Sequence, residues 1–216
     1  ELGGRLEQQD VVPDADLPEY ASSRASFAGG LVWKLSTRWS RALNLTSTQR
    51  HPTSTELYAE GPHVAAQRFE IGDASLRPER ATTLDLSLRH RGERWSMSLT
   101  TFRSDFADYI FAWPTGGIED ELPVAVYLQA DASFTGFEAE LELPAAQLAG
   151  GSLTTRLIAD MVRAQLDEGG DLPQIPPSRL GAELRYARGI WSAGLAAHRY
   201  DDQDRVADNE LPTDGF

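Results

Sequence analysis

Hydrophobic and polar residues alternate along most of this chain. In the stretch FEAELEL (residues 137–143), the odd positions are apolar and the even positions are glutamates. A period of two residues predicts a β-strand with one apolar face and one anionic face. The same pattern predicts nine strands, at residues 1–9, 24–35, 38–50, 80–91, 94–106, 124–143, 152–166, 179–188 and 190–200.

The connections between these strands alternate in length. Short connections lie near residues 36–37, 92–93, 144–151 and 188–189, and long ones cover residues 10–23, 51–79, 107–129, 167–178 and 201–212. In an up-and-down sheet this order brings every long loop to the same end, as in outer-membrane barrels. Many strands have about ten residues or more, which suits a tilted membrane-spanning strand better than a strand of a globular sheet.

Two architectures fit alternating strands of this kind. In a soluble or cell-surface β-sandwich the apolar faces form a core, whereas in a membrane barrel they contact lipid and the charged faces line a wet interior. Strand length and loop order favour the second. The predicted fold is therefore all-β: part of an antiparallel up-and-down transmembrane β-barrel, about nine strands of a larger one.

Composition excludes several classes of function. The chain of 216 residues has no cysteine, which excludes a disulfide scaffold, thiol catalysis and cysteine-ligated metal. Its net charge of −13 argues against nucleic acid as a partner. No apolar run approaches the roughly 20 residues of a transmembrane helix, so any membrane contact must come through strands.

The negative charge is concentrated in the predicted long loops. With the second loop counted to Arg80 and the last to Phe216, they hold 22 of the 33 carboxylates but only four arginines, a balance of −18; the rest of the chain has 16 basic and 11 acidic residues, a balance of +5. Acidic loops are often no more than solvated. The alternative is an acidic mouth that raises the local concentration of cations.

Tryptophans lie near the predicted short turns. Trp39, Trp95 and Trp191 follow such turns closely, and Trp33 shortly precedes one. Tryptophan suits strands in general, but this position also matches an interfacial aromatic girdle.

The largest predicted loop contains the candidate ligand-binding residues. His51 and His63 share it with Glu60 and Glu70, and imidazole with carboxylate is a plausible set for zinc or another transition metal. No His-x-x-His spacing or His-rich run supports a metal site, and ordinary loop residues are the alternative. The four residues are predicted to bind substrate, and the metal assignment stays open. His198 is predicted to face the barrel interior.

Several stretches resemble a known family. Arg50-His51-Pro52 leads into Glu56-Leu57-Tyr58, and Leu76-Arg77-Pro78-Glu79 opens the next strand. With FRSDFADYIF, FTGFEAEL, LPQIPPSRLGAEL and NELPTDGF in this order, the chain resembles the barrel of TonB-dependent outer-membrane receptors over nearly its whole length. The GPH…FEIG form is most similar to the branch that includes zinc- and haem-type receptors.

The resemblance implies a function and partners. Such receptors resemble a plugged barrel of about 22 strands, so residues 1–216 are expected to be a fragment of one barrel domain, without the plug domain and the terminal strands. The whole protein is expected in the outer membrane of a Gram-negative bacterium, with lipid, the plug, the TonB complex and a small metal-containing ligand as partners. The expected cargo is a metal, metal chelate or haem, with zinc weakly preferred; no resident cofactor and no enzymatic activity are expected. A β-sandwich binding module and, remotely, an outer-membrane barrel enzyme are the alternatives.

Overall fold

The computed structural model describes residues 1–13 and 16–216, and for residues 144–146 it describes the backbone alone. Asp14 and Ala15, which fall in the first predicted long loop, lie outside the described residues. The elements are β1 (Leu2–Val11), β2 (Tyr20–Lys34), β3 (Trp39–Arg50), α1 (Ser54–Tyr58), β4 (Glu60–His63), β5 (Arg68–Ile71), β6 (Glu79–Arg91), β7 (Ser96–Glu119), β8 (Leu122–Leu148), β9 (Gly151–Leu166), β10 (Arg179–Arg188) and β11 (Trp191–Tyr200).

Nine of these strands form one antiparallel sheet in the order β1-β2-β3-β6-β7-β8-β9-β10-β11. They correspond one to one to the nine predicted strands, so the up-and-down order is confirmed. Strands β1 and β11 lie at the two edges of this sheet. The remaining two strands, β4 and β5, belong to the connection between β3 and β6.

One face of the sheet, called the apolar face below, is built from rows of large hydrophobic side chains. Leu31, Leu43 and Leu86 are register partners across β2, β3 and β6. Leu86 is 53% exposed, and many leucines of this face are equally open. In a sandwich a second sheet would cover such a face, but the described residues contain a single sheet. The sandwich alternative is therefore wrong.

The opposite face, called the polar face, holds hydroxyl and charged side chains. The hydroxyls of Thr83 and Ser104 lie 2.7 Å apart. Arg156 donates to Glu140 at 2.7 Å and to Glu183 at 3.4 Å, across β8, β9 and β10. Asp160 is likewise ion-paired, with Arg179 at 2.7 Å, so three carboxylates of this face have an arginine partner. His198 also lies on the polar face. Register partners point to the same side of a sheet, and the row that contains His198 runs through Gly181 and Ile158 to Glu140.

Strands β7 and β8 continue far beyond the rest of the sheet as a tall hairpin. The prediction of a long loop at 107–129 is wrong, because this region is strand except for a tight turn at Asp120 and Glu121. Both turn residues have positive φ, as a two-residue hairpin turn requires. Register shifts after Phe106 and after Pro114 absorb the irregular sequence that resembles a loop.

The two faces of the tall hairpin are covered by different segments. Ile110 packs with Leu57 and Leu76 of the 51–79 connection, whereas its neighbour Phe111 packs with Leu172 of the 167–178 connection. Adjacent strand residues point to opposite faces, so each connection covers one face. Strand β5 additionally pairs in parallel with β8, which the antiparallel prediction did not include.

At the short-turn end, aromatic side chains cluster as predicted for this rim. Trp39 and His90 are register partners, and the rings of His90 and Trp95 stack at 3.8 Å. Trp33 and Trp191 are 43% and 76% exposed on the apolar face. No helix in residues 1–13 and 16–216 is long and apolar enough to cross a membrane.

Candidate ligand-binding mouth

The candidate site is the end of the sheet that carries the long connections. We call it the mouth and define it as segments 51–79, 107–129, 167–178 and 201–216. The 201–216 segment is fastened to its neighbours by side-chain bonds: Gln203 donates to the carbonyl of Ile175 at 2.6 Å, and Asn209 to that of Pro114 at 3.3 Å. Glu210 accepts the backbone N–H of Gln174 at 2.9 Å. The mouth therefore presents a packed surface.

A charged clamp centred on Arg50 holds the base of the mouth together. Its guanidinium binds Glu79 bidentately, with Nε–Oε1 at 2.9 Å and Nη2–Oε2 at 3.0 Å, and binds Glu56 through Nη1 at 2.8 Å. Glu79 also accepts the backbone N–H of Ile110 at 3.1 Å. Burial opposes the charge of Arg50, but the hydrogen bonds to Glu79 and Glu56 outweigh it and raise its pKa. The clamp joins β3, α1, β6 and β7.

Helix α1 begins at a capping box that serves the same clamp. The hydroxyl of Thr53 accepts the N–H of Glu56 at 3.2 Å, and the carboxylate of Glu56 accepts the N–H of Thr53 at 2.7 Å. Such reciprocal bonds satisfy two donors that a helix start otherwise leaves free. Sequence analysis identified no helix here, although the Thr-x-x-Glu spacing of residues 53–56 is the signal that would have found it.

The structure places His51 apart from the other predicted ligand-binding residues. It is 4% exposed, and its Nδ1 lies 2.9 Å from the hydroxyl of Tyr20 on β2. The rings of His51 and Tyr20 also meet edge to face, with centroids 6.0 Å apart. The position of His51 is thus that of a packing residue beneath the 51–79 connection, and Tyr20 is a partner that sequence analysis missed.

Glu70 is the centre of a second polar cluster. It is 1% exposed and accepts from His63 Nδ1 at 2.9 Å, from Arg68 Nε at 2.7 Å and from the Tyr127 hydroxyl at 3.0 Å. Burial alone would raise the pKa of Glu70, but these hydrogen bonds outweigh it and hold the pKa below its ordinary value. The cluster attaches the β4–β5 hairpin to β8.

Glu60 lies on the other side of the same hairpin. In the β4–β5 register Glu60 pairs with Ile71, whereas Gly61 pairs with Glu70 and His63 with Arg68. Because neighbouring residues of a strand alternate in direction, His63 and Glu70 share one face and the exposed Glu60 takes the opposite one. Within residues 1–13 and 16–216, no group of three or more metal-ligating side chains is present. The structure thus brings His63 and Glu70 together and points Glu60 away from them, and substrate binding by His51, Glu60, His63 and Glu70 stays a prediction.

A run of exposed carboxylates lies at the tip of the tall hairpin. Glu119, Asp120 and Glu121 are consecutive and exposed. Lower on the hairpin, Asp108 is paired with Arg77. The acidic surplus that composition predicted is thus partly neutralised at the base of the mouth, by Arg50, Arg68 and Arg77, and remains open to solvent at its tip.

A single antiparallel sheet with an open apolar face, a charged opposite face and tall connections at one end defines a β-barrel of the outer-membrane type. The chain belongs to the family described as "TonB dependent receptor-like, beta-barrel", whose model matches residues 1–216. This family contains receptors rather than enzymes, so the expectation of no enzymatic activity is confirmed along with the family.

Solved structures share this fold. The structure of "Copper transporter OprC" is similar over 100% of this chain and 35% of its own, with 20% identity and a TM-score of 0.79. The FrpB iron transporter from Neisseria meningitidis (F5-1 variant) is similar over 100% of this chain and 34% of its own, with 17% identity and a TM-score of 0.68. A ferric enterobactin receptor (PfeA) mutant from Pseudomonas aeruginosa is similar over 90% of this chain and 31% of its own, with 18% identity and a TM-score of 0.63. The chain thus spans about a third of the length of these structures.

Proposed function

We propose that the receptor to which this chain contributes imports a metal ion or small metal complex across the outer membrane of a Gram-negative bacterium. Family membership over residues 1–216 supports the receptor role. The similar structures include a copper transporter, an iron transporter and a ferric enterobactin receptor, which supports a metal-containing cargo. Energy would arrive from the TonB complex through a plug domain.

The polar face supports the placement of such a plug. It carries Glu138 and Glu142 beside the paired Glu140, Arg156 and Glu183, and in a closed barrel these residues face the interior. Charges in a barrel interior require water or polar partners. We propose that the plug supplies part of this environment. Further strands would pair with the edges of β1 and β11 to complete the barrel. Residues 1–216 would then be one segment of a single barrel domain.

The observation that carries the cargo class is the charge of the mouth. Its exposed tip holds three consecutive carboxylates, and the four segments of the mouth together hold 18 carboxylates and three arginines, a balance of −15. A surface of one sign raises the local concentration of ions of the opposite sign and lowers that of its own sign. The mouth thus favours a free cation or a positively charged or neutral complex over an anionic chelate. No support remains for preferring zinc or haem.

Two of the predicted ligand-binding residues keep a direct role in this proposal. Glu60 is exposed on β4, and His63 is 51% exposed beside Glu70. Both are accessible to a ligand that enters the mouth, whereas His51 and Glu70 are buried and would act by positioning the 51–79 connection.

Metal uptake by the full-length receptor tests the proposal. Replacing Glu119, Asp120 and Glu121 by Gln, Asn and Gln removes three negative charges from an exposed turn without touching the packed base. We expect slower uptake of Cu²⁺ or Zn²⁺ at low ionic strength and a smaller difference from the wild type at high salt, because screening removes steering. A neutral metal complex serves as the control cargo. Equal uptake of cations by both proteins at low salt would contradict the proposal.

A further inference from the structure

Arg41 lies on the apolar face, close to the short-turn rim. Arg41 on β3 is exposed, and its register partners are Trp33 on β2 and Leu88 on β6. The next row toward the mouth is Leu31, Leu43 and Leu86. Within the described part of the chain no carboxylate forms an ion pair with Arg41. A cation without a carboxylate partner therefore lies beside the leucines of this row, in contrast to Arg103 on the same face, which is paired with Asp105.

A groove of about 610 Å³ adjoins this arginine on the apolar face. Its floor contains leucines of β6 and β7, its wall contains Trp33 and Leu35, and Arg41 borders it. Its remaining lining residues are Ala42, Ser87 and Thr101, so leucines predominate. The groove thus has the shape and the chemistry for a hydrocarbon chain, with a cation placed at one side.

The position of Arg41 decides which end of a lipid it meets. Arg41 comes two residues after Trp39, the first residue of β3, which corresponds to roughly 7 Å along the strand. An arginine at the middle of a bilayer costs about 2–4 kcal/mol, but near the interface it costs about 0–1 kcal/mol because its head reaches the polar layer. At this height the guanidinium lies at the level of lipid headgroups.

The surrounding rim is strongly basic. Residues 34–41 and 89–95, which flank two neighbouring short turns, contain Lys34, Arg38, Arg41, Arg89, Arg91 and Arg94 but only one carboxylate, Glu93. Their balance is +5, six basic residues minus one acidic residue. This charge is complementary to an anionic headgroup and opposite in sign to the charge of the mouth.

We infer that this groove and Arg41 form a binding site for one anionic glycerophospholipid, with an acyl chain in the groove and the phosphodiester on the guanidinium. A planar guanidinium binds phosphate oxygens through two parallel N–H donors, which a lysine cannot do. The inference rests on the proposed membrane location, but it concerns the outside of the barrel and is independent of any cargo.

Native mass spectrometry of the full-length receptor in detergent tests the site. Phosphatidylglycerol is titrated onto wild type, Arg41→Gln and Arg89→Gln. Arg89 pairs with Ser40 on the polar face of the same rim, so its replacement removes the same charge from the other side of the sheet. We expect Arg41→Gln to weaken binding of the first lipid about tenfold, Arg89→Gln to leave it unchanged, and Arg41→Lys to fall between.

Two outcomes would contradict the inference, one for the site and one for its selectivity. Equal affinity of Arg41→Gln and Arg89→Gln for phosphatidylglycerol would overturn the site, and equal binding of phosphatidylethanolamine would overturn the selectivity for an anionic headgroup. Because the measurement contains no metal, its result is separate from that of the uptake experiment. Heat-modifiable migration on gels confirms that each variant is folded before its lipid binding is compared.

Discussion

Replacing Arg50 by alanine should loosen the base of the mouth while leaving the barrel sheet intact. The change removes the only guanidinium that binds both Glu79 and Glu56. The side chains of these two glutamates are 10% and 13% exposed, so both carboxylates would remain largely buried without a cation. The strands around them would keep their backbone pairing.

The size of the stability loss in Arg50→Ala follows from how exposed Arg50, Glu56 and Glu79 are. Removing one partner of a fully buried ion pair costs about 3–5 kcal/mol. Because the Arg50 side chain is 42% exposed, water reaches part of the clamp and screens the carboxylates, and we expect a local loss of about 2 kcal/mol. This corresponds to roughly 30-fold faster local opening.

Hydrogen exchange of the full-length receptor in detergent measures this opening. Peptides that cover α1 and residues 107–112 should exchange roughly 30-fold faster in Arg50→Ala, whereas peptides from the centre of β3 and β6 should not change. Arg77→Ala is the matched control, since Arg77 is 72% exposed in its pair with Asp108 and such pairs contribute about 0–1 kcal/mol. If both variants exchange equally in α1, the clamp does not have the stabilising role assigned to it.

Three further predictions concern other parts of the molecule. Gly136→Ala should destabilise the folded barrel by about 1–3 kcal/mol, seen as a lower urea midpoint, because a Cβ there would lie 2.4 Å from the Met161 carbonyl and 2.6 Å from the Phe102 ring. The attachment of the β4–β5 hairpin should weaken in acid, because the pKa of Glu70 is lowered in the folded state. The stability that this carboxylate contributes is complete above its ordinary pKa of about 4.3 and is lost as the pH falls through the folded pKa. Hydrogen exchange in β5, corrected for the intrinsic effect of pH, should show this dependence in the wild type and lose it in Glu70→Gln. Leu86→Arg, in the middle of the apolar face, should destabilise the protein in lipid vesicles by about 2–4 kcal/mol, measured as a smaller free energy of unfolding. An unchanged free energy of unfolding would argue against lipid contact at this position.

The sheet was predictable because its signal is periodic and repeated. Alternation along each strand fixed both its faces, and the row of Leu31, Leu43 and Leu86 follows once neighbouring strands pair in order. The tall hairpin was not predictable in this way. Its sequence contains Pro114, Gly116 and Gly117, which usually mark a loop. Backbone pairing between β7 and β8 holds it as strand, the register shifts accommodate the irregular residues, and both of its faces are packed.

The mouth shows the opposite balance. Sequence analysis selected histidines and carboxylates for their chemistry, yet their roles depend on the direction in which each side chain points. Glu60 and Glu70 are separated by the alternation of two short strands whose existence no local pattern indicated. The residues that carry the family resemblance, among them Arg50, Glu56 and Glu79, prove to be structural, because they form the clamp at the base of the mouth.

The parallel pairing of β5 with β8 has a mechanical consequence. The 51–79 connection leaves the sheet from β3 and returns to it at β6, but between these points it crosses the tall hairpin and hydrogen-bonds to its far strand. A force that separates β6 from β7 at this end would have to break the β5–β8 bonds and the hydrogen bond from the Ile110 N–H to Glu79 together. At this end the 51–79 connection is therefore tied to both strands of the tall hairpin, whereas the 201–216 segment is fastened to its neighbours mainly by single hydrogen bonds.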